Sequence, residues 1–202
     1  MFTGIIQTIA EVYAVEKKEG SIHYGILFPS SLLEGLELGA SVSIDGVCQT
    51  VVTIDNQIVW FDAIEETLIR TTLRHLKKKM HVNIERAAKW GEEIGGHLLS
   101  GHIFGKASLL DIQENRYFFS APPLGMKYLF EKGFIALDGV SLTLASCDRS
   151  KKIFSIHLIP ETMKRTLLGQ KKRGDEVNVE IDALTQAAVE TVENLLGKSY
   201  HS

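Results

Sequence analysis

The sequence predicts an all-β fold: two tandem, duplicated six-stranded antiparallel β-barrels with short capping helices, followed by one C-terminal α-helix. Three observations lead there. The first is an internal repeat. Val82-Asn83-Ile84-Glu85 returns as Val177-Asn178-Val179-Glu180, and Glu66-Thr67 returns as Glu161-Thr162. Asp45-Gly46-Val47 returns as Asp138-Gly139-Val140, and Gly4-Ile5-Ile6 has a fainter echo in Gly101-His102-Ile103. A collinear order whose offset drifts only by loop-sized steps marks a duplicated domain. The second observation is composition within each half: short runs of Val, Ile and Thr broken by Gly, Asp and Asn, which is the make-up of short strands and tight turns. The third is the scarcity of helical pattern. Six short strands with one helix per repeat are best served by closure, which hides the strand edges.

Taken in order, strands are expected at 5–15, 25–28, 41–44, 48–54, 57–63 and 82–87. Asp45-Gly46 and Asp55-Asn56 supply hairpin turns. One helix is expected at 65–73, where Leu68, Ile69 and Leu73 share a side, plugging one barrel end. The stretch 89–96, with Gly91, Gly95 and Gly96, reads as a linker free to bend. The second half repeats the plan, with strands at 103–112, 116–121, 134–137, 141–147, 153–159 and 176–181 and a helix at 161–168. A helical excursion at 124–131 follows Pro122-Pro123. Residues 184–196 have no counterpart in the first half, and Leu184, Ala188, Val192 and Leu195 form one apolar helical stripe. The expected division is a first barrel over 1–90, a second over 91–183, and an oligomerisation helix and tail over 184–202.

Composition narrows the function classes. The chain has 202 residues, 45% hydrophobic and 23% charged, with a net charge of −3. That is a globular protein with no electrostatic case for nucleic acid. Lys77-Lys78-Lys79 and Lys171-Lys172-Arg173 read as solvated turns before a strand. Two cysteines make no disulfide framework. No signal peptide and no membrane-length apolar run are visible, so a cytoplasmic location with reduced thiols is expected. No metal motif, P-loop or dinucleotide fingerprint is present, so neither metal nor cofactor is expected.

The chemistry-bearing positions cluster at the repeated turns. Period two places Cys48 with Thr50, and Ser141 with Thr143, on one strand face. A thiol or hydroxyl beside a second hydroxyl can contact a polar ligand or act as a nucleophile, although small residues of this kind also serve as plain wall packing. His97 and His102 sit among glycines at the junction of the halves, as turn residues or as proton-transfer groups. The helix starts at Glu65-Glu66-Thr67 and Glu161-Thr162 offer free N–H groups, with Thr67 and Thr162 as candidate caps. Lys132 and Asp182 occur only in the second half, opposite Gly39 and Ala87.

Met1-Phe2-Thr3-Gly4-Ile5-Ile6, Gly96-His97-Leu98-Leu99-Ser100-Gly101-His102, Lys132-Gly133-Phe134-Ile135, Asp138-Gly139-Val140-Ser141-Leu142-Thr143 and His157-Leu158-Ile159-Pro160-Glu161-Thr162 resemble the riboflavin synthase family. The resemblance runs from Met1 to the terminal helix. It implies that each barrel binds one lumazine-like ring, that the enzyme is a homotrimer held partly by its C-terminal helices, and that the site lies between the first barrel of one subunit and the second barrel of its neighbour. It implies transfer of a four-carbon unit between two molecules of 6,7-dimethyl-8-ribityllumazine, with no cofactor or metal, and lumazine synthase as a possible protein partner. It assigns catalytic tasks to Cys48, His102, Lys132, Ser141, Thr143 and Asp182. Ring contacts fall to Gly4-Ile5-Ile6, Cys48-Gln49-Thr50, Asp62-Ala63-Ile64-Glu65-Glu66-Thr67, His97, Gly101-His102-Ile103, Ser141-Leu142-Thr143 and Leu158-Ile159-Pro160-Glu161-Thr162-Met163. Gln49 departs from the family, standing where an apolar residue is usual; period two turns it away from Cys48 and Thr50, toward wall packing or a subunit contact. A non-catalytic lumazine-binding protein is the rival reading.

Overall fold

The computed structural model describes residues 1–199, with side chains through residue 196; the end of the expected 184–202 segment lies outside the described residues. β1 (Thr8–Lys18), β2 (Ser21–Leu27), β3 (Ser41–Ile44), β4 (Val47–Asp55), β5 (Ile58–Ile64) and β6 (His81–Arg86) close a barrel in the order β1-β2-β5-β4-β3-β6. β7 (Gly105–Gln113), β8 (Arg116–Ser120), β9 (Phe134–Leu137), β10 (Val140–Asp148), β11 (Ile153–His157) and β12 (Glu176–Ile181) close a second barrel with the same connectivity. Even the irregularities are duplicated. The β1–β2 register slips at Val12/Ala14 and the β7–β8 register at Leu109/Asp111, and the β4–β5 slip at Val51/Thr53 returns in β10–β11 at Leu144/Ser146. Bulges of this kind bend short strands enough to close a small barrel.

The barrels are solid. Tyr24, Ile26, Ile44, Phe61 and Ile84 fill the first, and Leu109, Phe119, Leu137, Phe154 and Ile156 fill the second, all shielded from solvent. Each such side chain contributes about 1.5–3 kcal/mol on burial. The pockets beside the repeated Asp-Gly-Val turns lie on the outer walls. The alternation along β4 fits: Val47, Gln49 and Val51 point inward while Cys48 is half-buried and Thr50 is exposed.

The helices are shorter than the sequence pattern suggests. α1 (Ser30–Leu33) is one unexpected turn. α2 (Glu65–Arg70) and α3 (Pro160–Arg165) give way at Thr71 and Thr166 to 3₁₀ turns, Thr72–His75 and Leu167–Gln170. The plug at the barrel end is this turn rather than the α-helix, because Leu73 and Leu168 are buried while α2 and α3 bury no residue. The excursion after Pro122-Pro123 condenses to a single 3₁₀ turn, Gly125–Tyr128, packed on the second core.

The halves meet across a pseudo-twofold seam. Phe2 bridges its own counterpart Leu99, with amide-to-carbonyl distances of 2.8 and 3.0 Å. The Asp45-Gly46 and Asp138-Gly139 turns pack back to back: a Cβ on Gly46 would lie 2.6 Å from the Gly139 nitrogen. Asn83 and Asn178 stitch across the seam. Asn83 donates through Nδ2 to the Asp138 carbonyl (3.1 Å) and Asn178 to the Asp45 carbonyl (2.8 Å). Their Oδ1 atoms accept the backbone N–H of Leu167 and Thr72 from the opposite barrel's plug. One seam feature breaks the symmetry. Lys171, expected as a solvated turn residue, is largely buried and pairs with Asp138 at 2.8 Å. Leu76 holds its place in the first half, so two buried aspartates share one lysine.

α4 (Ala183–Ser199) docks by its polar side. Glu190 accepts from the Tyr128 hydroxyl at 2.9 Å, Lys127 pairs with Glu193 at 2.5 Å, and Val189 packs on the second core. The stripe picked out by Leu184 and Val192 is thereby left exposed. No helix among the described residues is long and apolar enough to cross a membrane.

Candidate functional site

Each barrel carries a pocket on its outer wall where β4 or β10 passes the start of α2 or α3. The first, ≈ 290 Å³, is lined by Val47, Cys48, Glu66, Thr67, Arg70, Thr71, Gly101, His102 and Ile103. The second, ≈ 420 Å³, is lined by Lys132, Phe134, Ser141, Leu142, Thr143, His157, Ile159 and Thr162, with Gly95 and Gly96 at its rim.

The walls are exchanged between the halves. Glu85 on β6 accepts from Thr3 N (2.6 Å), Thr3 Oγ1 (2.7 Å) and Gly4 N (3.0 Å), and this steers Gly4 across the seam, where its carbonyl accepts the Ser141 N–H at 2.9 Å. Glu180 on β12 holds Ser100 and Gly101 at the same three distances, and the Gly101 carbonyl accepts the Cys48 N–H at 2.9 Å. So His102, from the second half, lines the same pocket as Cys48 of the first, and Ile6, from the first, is buried in the second core. Both glycines have positive φ (+77° and +79°), and a Cβ on either would strike the facing strand 2.5 Å away. Gly96 is equally constrained. A Cβ there would lie 2.2 Å from the Thr3 carbonyl oxygen and 2.7 Å from Ser141 Cβ, so it permits close packing rather than hinge motion.

The two pockets differ chemically. In the second, His97 is buried, stacks on Phe134 with ring centroids 4.9 Å apart, and places Nδ1 2.6 Å from Ser141 Oγ. Burial pushes the His97 pKa down and the nearby Asp182 carboxylate opposes this. A neutral imidazole protonated on Nε2 leaves Nδ1 to accept the Ser141 proton. Among the described residues, no histidine is hydrogen-bonded to Cys48 in the first pocket. Lys132 lines the second pocket from a left-handed backbone (φ +65°), where the first copy has Gly39 at +84°. A non-glycine residue held there stores strain of the kind that gathers at functional sites.

Other sequence candidates have plainer surroundings. Asp182 caps α4, its Oδ1 accepting Thr185 N at 2.8 Å and Thr185 Oγ1 at 2.7 Å. Thr67 and Thr162 are not caps. That role belongs to Thr71 and Thr166 at the 3₁₀ turns, and the threonine side chains of α2 and α3 line the pockets instead. Ala63 and Leu158 lie inside their barrel walls, Gln49 inside the first, and Met163 packs against the second core. Ile5, Ile64 and Ile159 are exposed. Asp62, Glu65 and Glu161 are exposed too: Asp62 pairs with His23 at 2.7 Å, Glu65 borders a separate groove beside Lys17, and Glu161 pairs with Arg165. Cys48 and Cys147 are free thiols. Sequence reading missed Glu85 and Glu180 as site builders and Phe134 and Arg70 as lining. The repeated Val-Asn-x-Glu motif was the available signal for the glutamates.

The lumazine binding domain model matches the chain twice, at residues 3–87 and 100–182. The chain belongs to the lumazine-binding domain family. Among curated relatives, riboflavin synthase of Chlamydia pneumoniae is 47% identical over 98% of this chain and 98% of its own length. Riboflavin synthase of Escherichia coli (strain K12) is 46% identical over 97% and 93%. Among solved structures, LumP complexed with riboflavin superposes with a TM-score of 0.82 at 29% identity, covering 90% of this chain and 100% of that one. LumP complexed with 6,7-dimethyl-8-(1'-D-ribityl) lumazine gives 0.79 at 28% identity, with 90% and 99% coverage. The two matched segments correspond to the two barrels.

Proposed function

We propose that this chain is a riboflavin synthase: a transferase that moves a four-carbon unit between two molecules of 6,7-dimethyl-8-ribityllumazine, giving riboflavin and 5-amino-6-(D-ribitylamino)uracil, the last step of riboflavin biosynthesis. The observation that carries this reading is a pair of like pockets with unlike chemistry. Two identical reactants suit two related sites, and one must give carbon while the other takes it. Holding the rings in register supplies much of the acceleration, up to about 7–11 kcal/mol in favourable cases. His97 against Ser141 Oγ primes a hydroxyl for nucleophilic or proton-transfer work, while Cys48 and His102 line the other pocket without such a bond. Lys132, Thr143 and Asp182 complete the proposed catalytic set.

The proposed assembly is a homotrimer, its composite site formed by the first barrel of one subunit and the second of its neighbour. It is supported by the exposed stripe of α4, with Leu184 81% and Val192 54% accessible. The proposed division is 1–90 and 91–183 for the barrels and 184–202 for the assembly segment. A cytoplasmic location and a partnership with lumazine synthase belong to the same proposal. The binder alternative draws on LumP, whose crystal structures hold the same class of ring. Against it stand the intact His97, His102, Ser141 and Thr143. Supplying the lumazine alone and assaying riboflavin separates the two: an enzyme makes product, a binder does not.

A further inference from the structure

We infer that Gln49, held by Tyr24, is a positioning residue that fixes the Cys48 peptide and makes the first pocket mechanically unlike the second. The inference rests on the dismutation reading and deepens it. Gln49 faces the barrel interior between Val47 and Val51 and is buried as a residue, 6% exposed. Both ends of its amide are engaged. Oε1 accepts from the hydroxyl of Tyr24, itself fully buried, at 3.0 Å, and Nε2 turns back to donate to the Cys48 carbonyl at 2.8 Å. The ladder between β4 and β5 begins only at Val51. At Cys48, therefore, the wall lacks that neighbour, and its N–H is taken by the Gly101 carbonyl instead. Cys48 is thus tied on both sides, by Gly101 from the other half and by Gln49 from within the barrel.

In the second copy the Ser141 peptide is tied on one side, and its side chain is held by His97 instead. Ser141 donates its N–H to Gly4, but Leu142 stands in place of Gln49 and has no group to reach the Ser141 carbonyl. Tyr117 occupies the place of Tyr24 and stays buried without such an acceptor in Leu142. A reaction between identical molecules needs something in the protein to tell them apart, and this difference does so without touching either ring. It holds the Cys48 wall rigid, with its carbonyl already engaged, and leaves the Ser141 wall more compliant.

The test compares the full-length wild type with Q49L and with the Y24F/Q49L double variant. Three quantities are read: kcat for riboflavin formation, the thermal midpoint, and the alkylation rate of Cys48 by iodoacetamide, with Cys147 as internal reference. Q49L strands the Tyr24 hydroxyl, so its midpoint falls, and the double variant recovers it by removing that hydroxyl. If Gln49 positions Cys48, the double variant keeps kcat reduced by roughly 3- to 10-fold and alkylates Cys48 at least about threefold faster relative to Cys147. A double variant with wild-type kcat or wild-type Cys48 alkylation overturns the inference, since Gln49 would then be only a satisfied core partner of Tyr24. Should Q49L fail to fold, the double variant carries the test, because it removes the hydroxyl that Q49L leaves without its acceptor. A wild type that makes no riboflavin sinks the dismutation reading, and alkylation then decides the Gln49 inference by itself.

Discussion

Gly101→Ala tests the crossing of chain segments that builds the pockets. The new methyl would lie 2.5 Å from Cys48 Cβ and 2.8 Å from the Cys48 backbone nitrogen, at a φ of +79°. Two penalties combine. A left-handed backbone costs an L-residue about 1–2 kcal/mol. The overlap is with the backbone of β4, which cannot swing aside as a flexible side chain does, and overpacking of that kind costs about 1–3 kcal/mol. A combined loss of about 2–5 kcal/mol is large against a typical stability of about 5–15 kcal/mol. For a chain of this size it lowers the melting temperature by about 4–20 °C, at about 2–4 °C per kcal/mol. Thermal unfolding followed by circular dichroism measures it. Gly35→Ala is the control, because Gly35 has a φ of +62° but nothing within 4 Å, so it bears the first penalty alone. Gly4→Ala, facing Ser141 at the same distances, is expected to match Gly101→Ala. If Gly101→Ala proves no worse than Gly35→Ala, the segment does not lie on the Cys48 strand and the crossed-wall account fails.

Three further outcomes follow from the same geometry. Cys48→Ala and Ser141→Ala are expected to reduce turnover unequally, with Ser141→Ala the larger loss because His97 then has no hydroxyl to act on; equal losses in steady-state kinetics would mean that both residues merely line walls. Burial and then the charge of Asp138, partly offset by Lys171 and the Asn83 N–H, push the Asp45 pKa up to about 8 from its ordinary 3.8. The native state therefore binds the extra proton, and this group's contribution to stability is fully present at low pH and is lost as pH rises toward about 8. Urea midpoints are expected to decline across that window in the wild type and less in Asp45→Asn, which keeps the acceptor for Asn83; an equally steep decline in the variant would remove Asp45 as the cause. Truncation before Leu184 is expected to yield monomers or smaller species by light scattering, and an unchanged mass would exclude α4 from the assembly.

Much of this fold was legible because duplication doubles the signal. Strand composition, hairpin turns such as Asp45-Gly46 and the β3, β9 and β12 boundaries were readable from local pattern. The helix ends were not. Thr71 and Thr166 accept the N–H two residues on and tighten the chain into 3₁₀ turns, a local bond that apolar periodicity does not register. The terminal stripe was visible, but which face docks depended on Tyr128 and Lys127, more than 50 residues away. At the site, Cys48, Ser141 and His102 stood out from repetition and resemblance. Which half supplies which wall could not be read, because it is decided by Glu85 and Glu180 pulling chain segments across the seam. Gln49 looked like a departure from pattern, and it is intelligible only beside Tyr24, which lies on another strand.

The most direct test of the central claim is a product assay on the purified chain given 6,7-dimethyl-8-ribityllumazine and nothing else. Riboflavin is expected in half the molar amount of lumazine consumed, together with one equivalent of 5-amino-6-(D-ribitylamino)uracil per riboflavin. Tight lumazine binding with no riboflavin formed would contradict it.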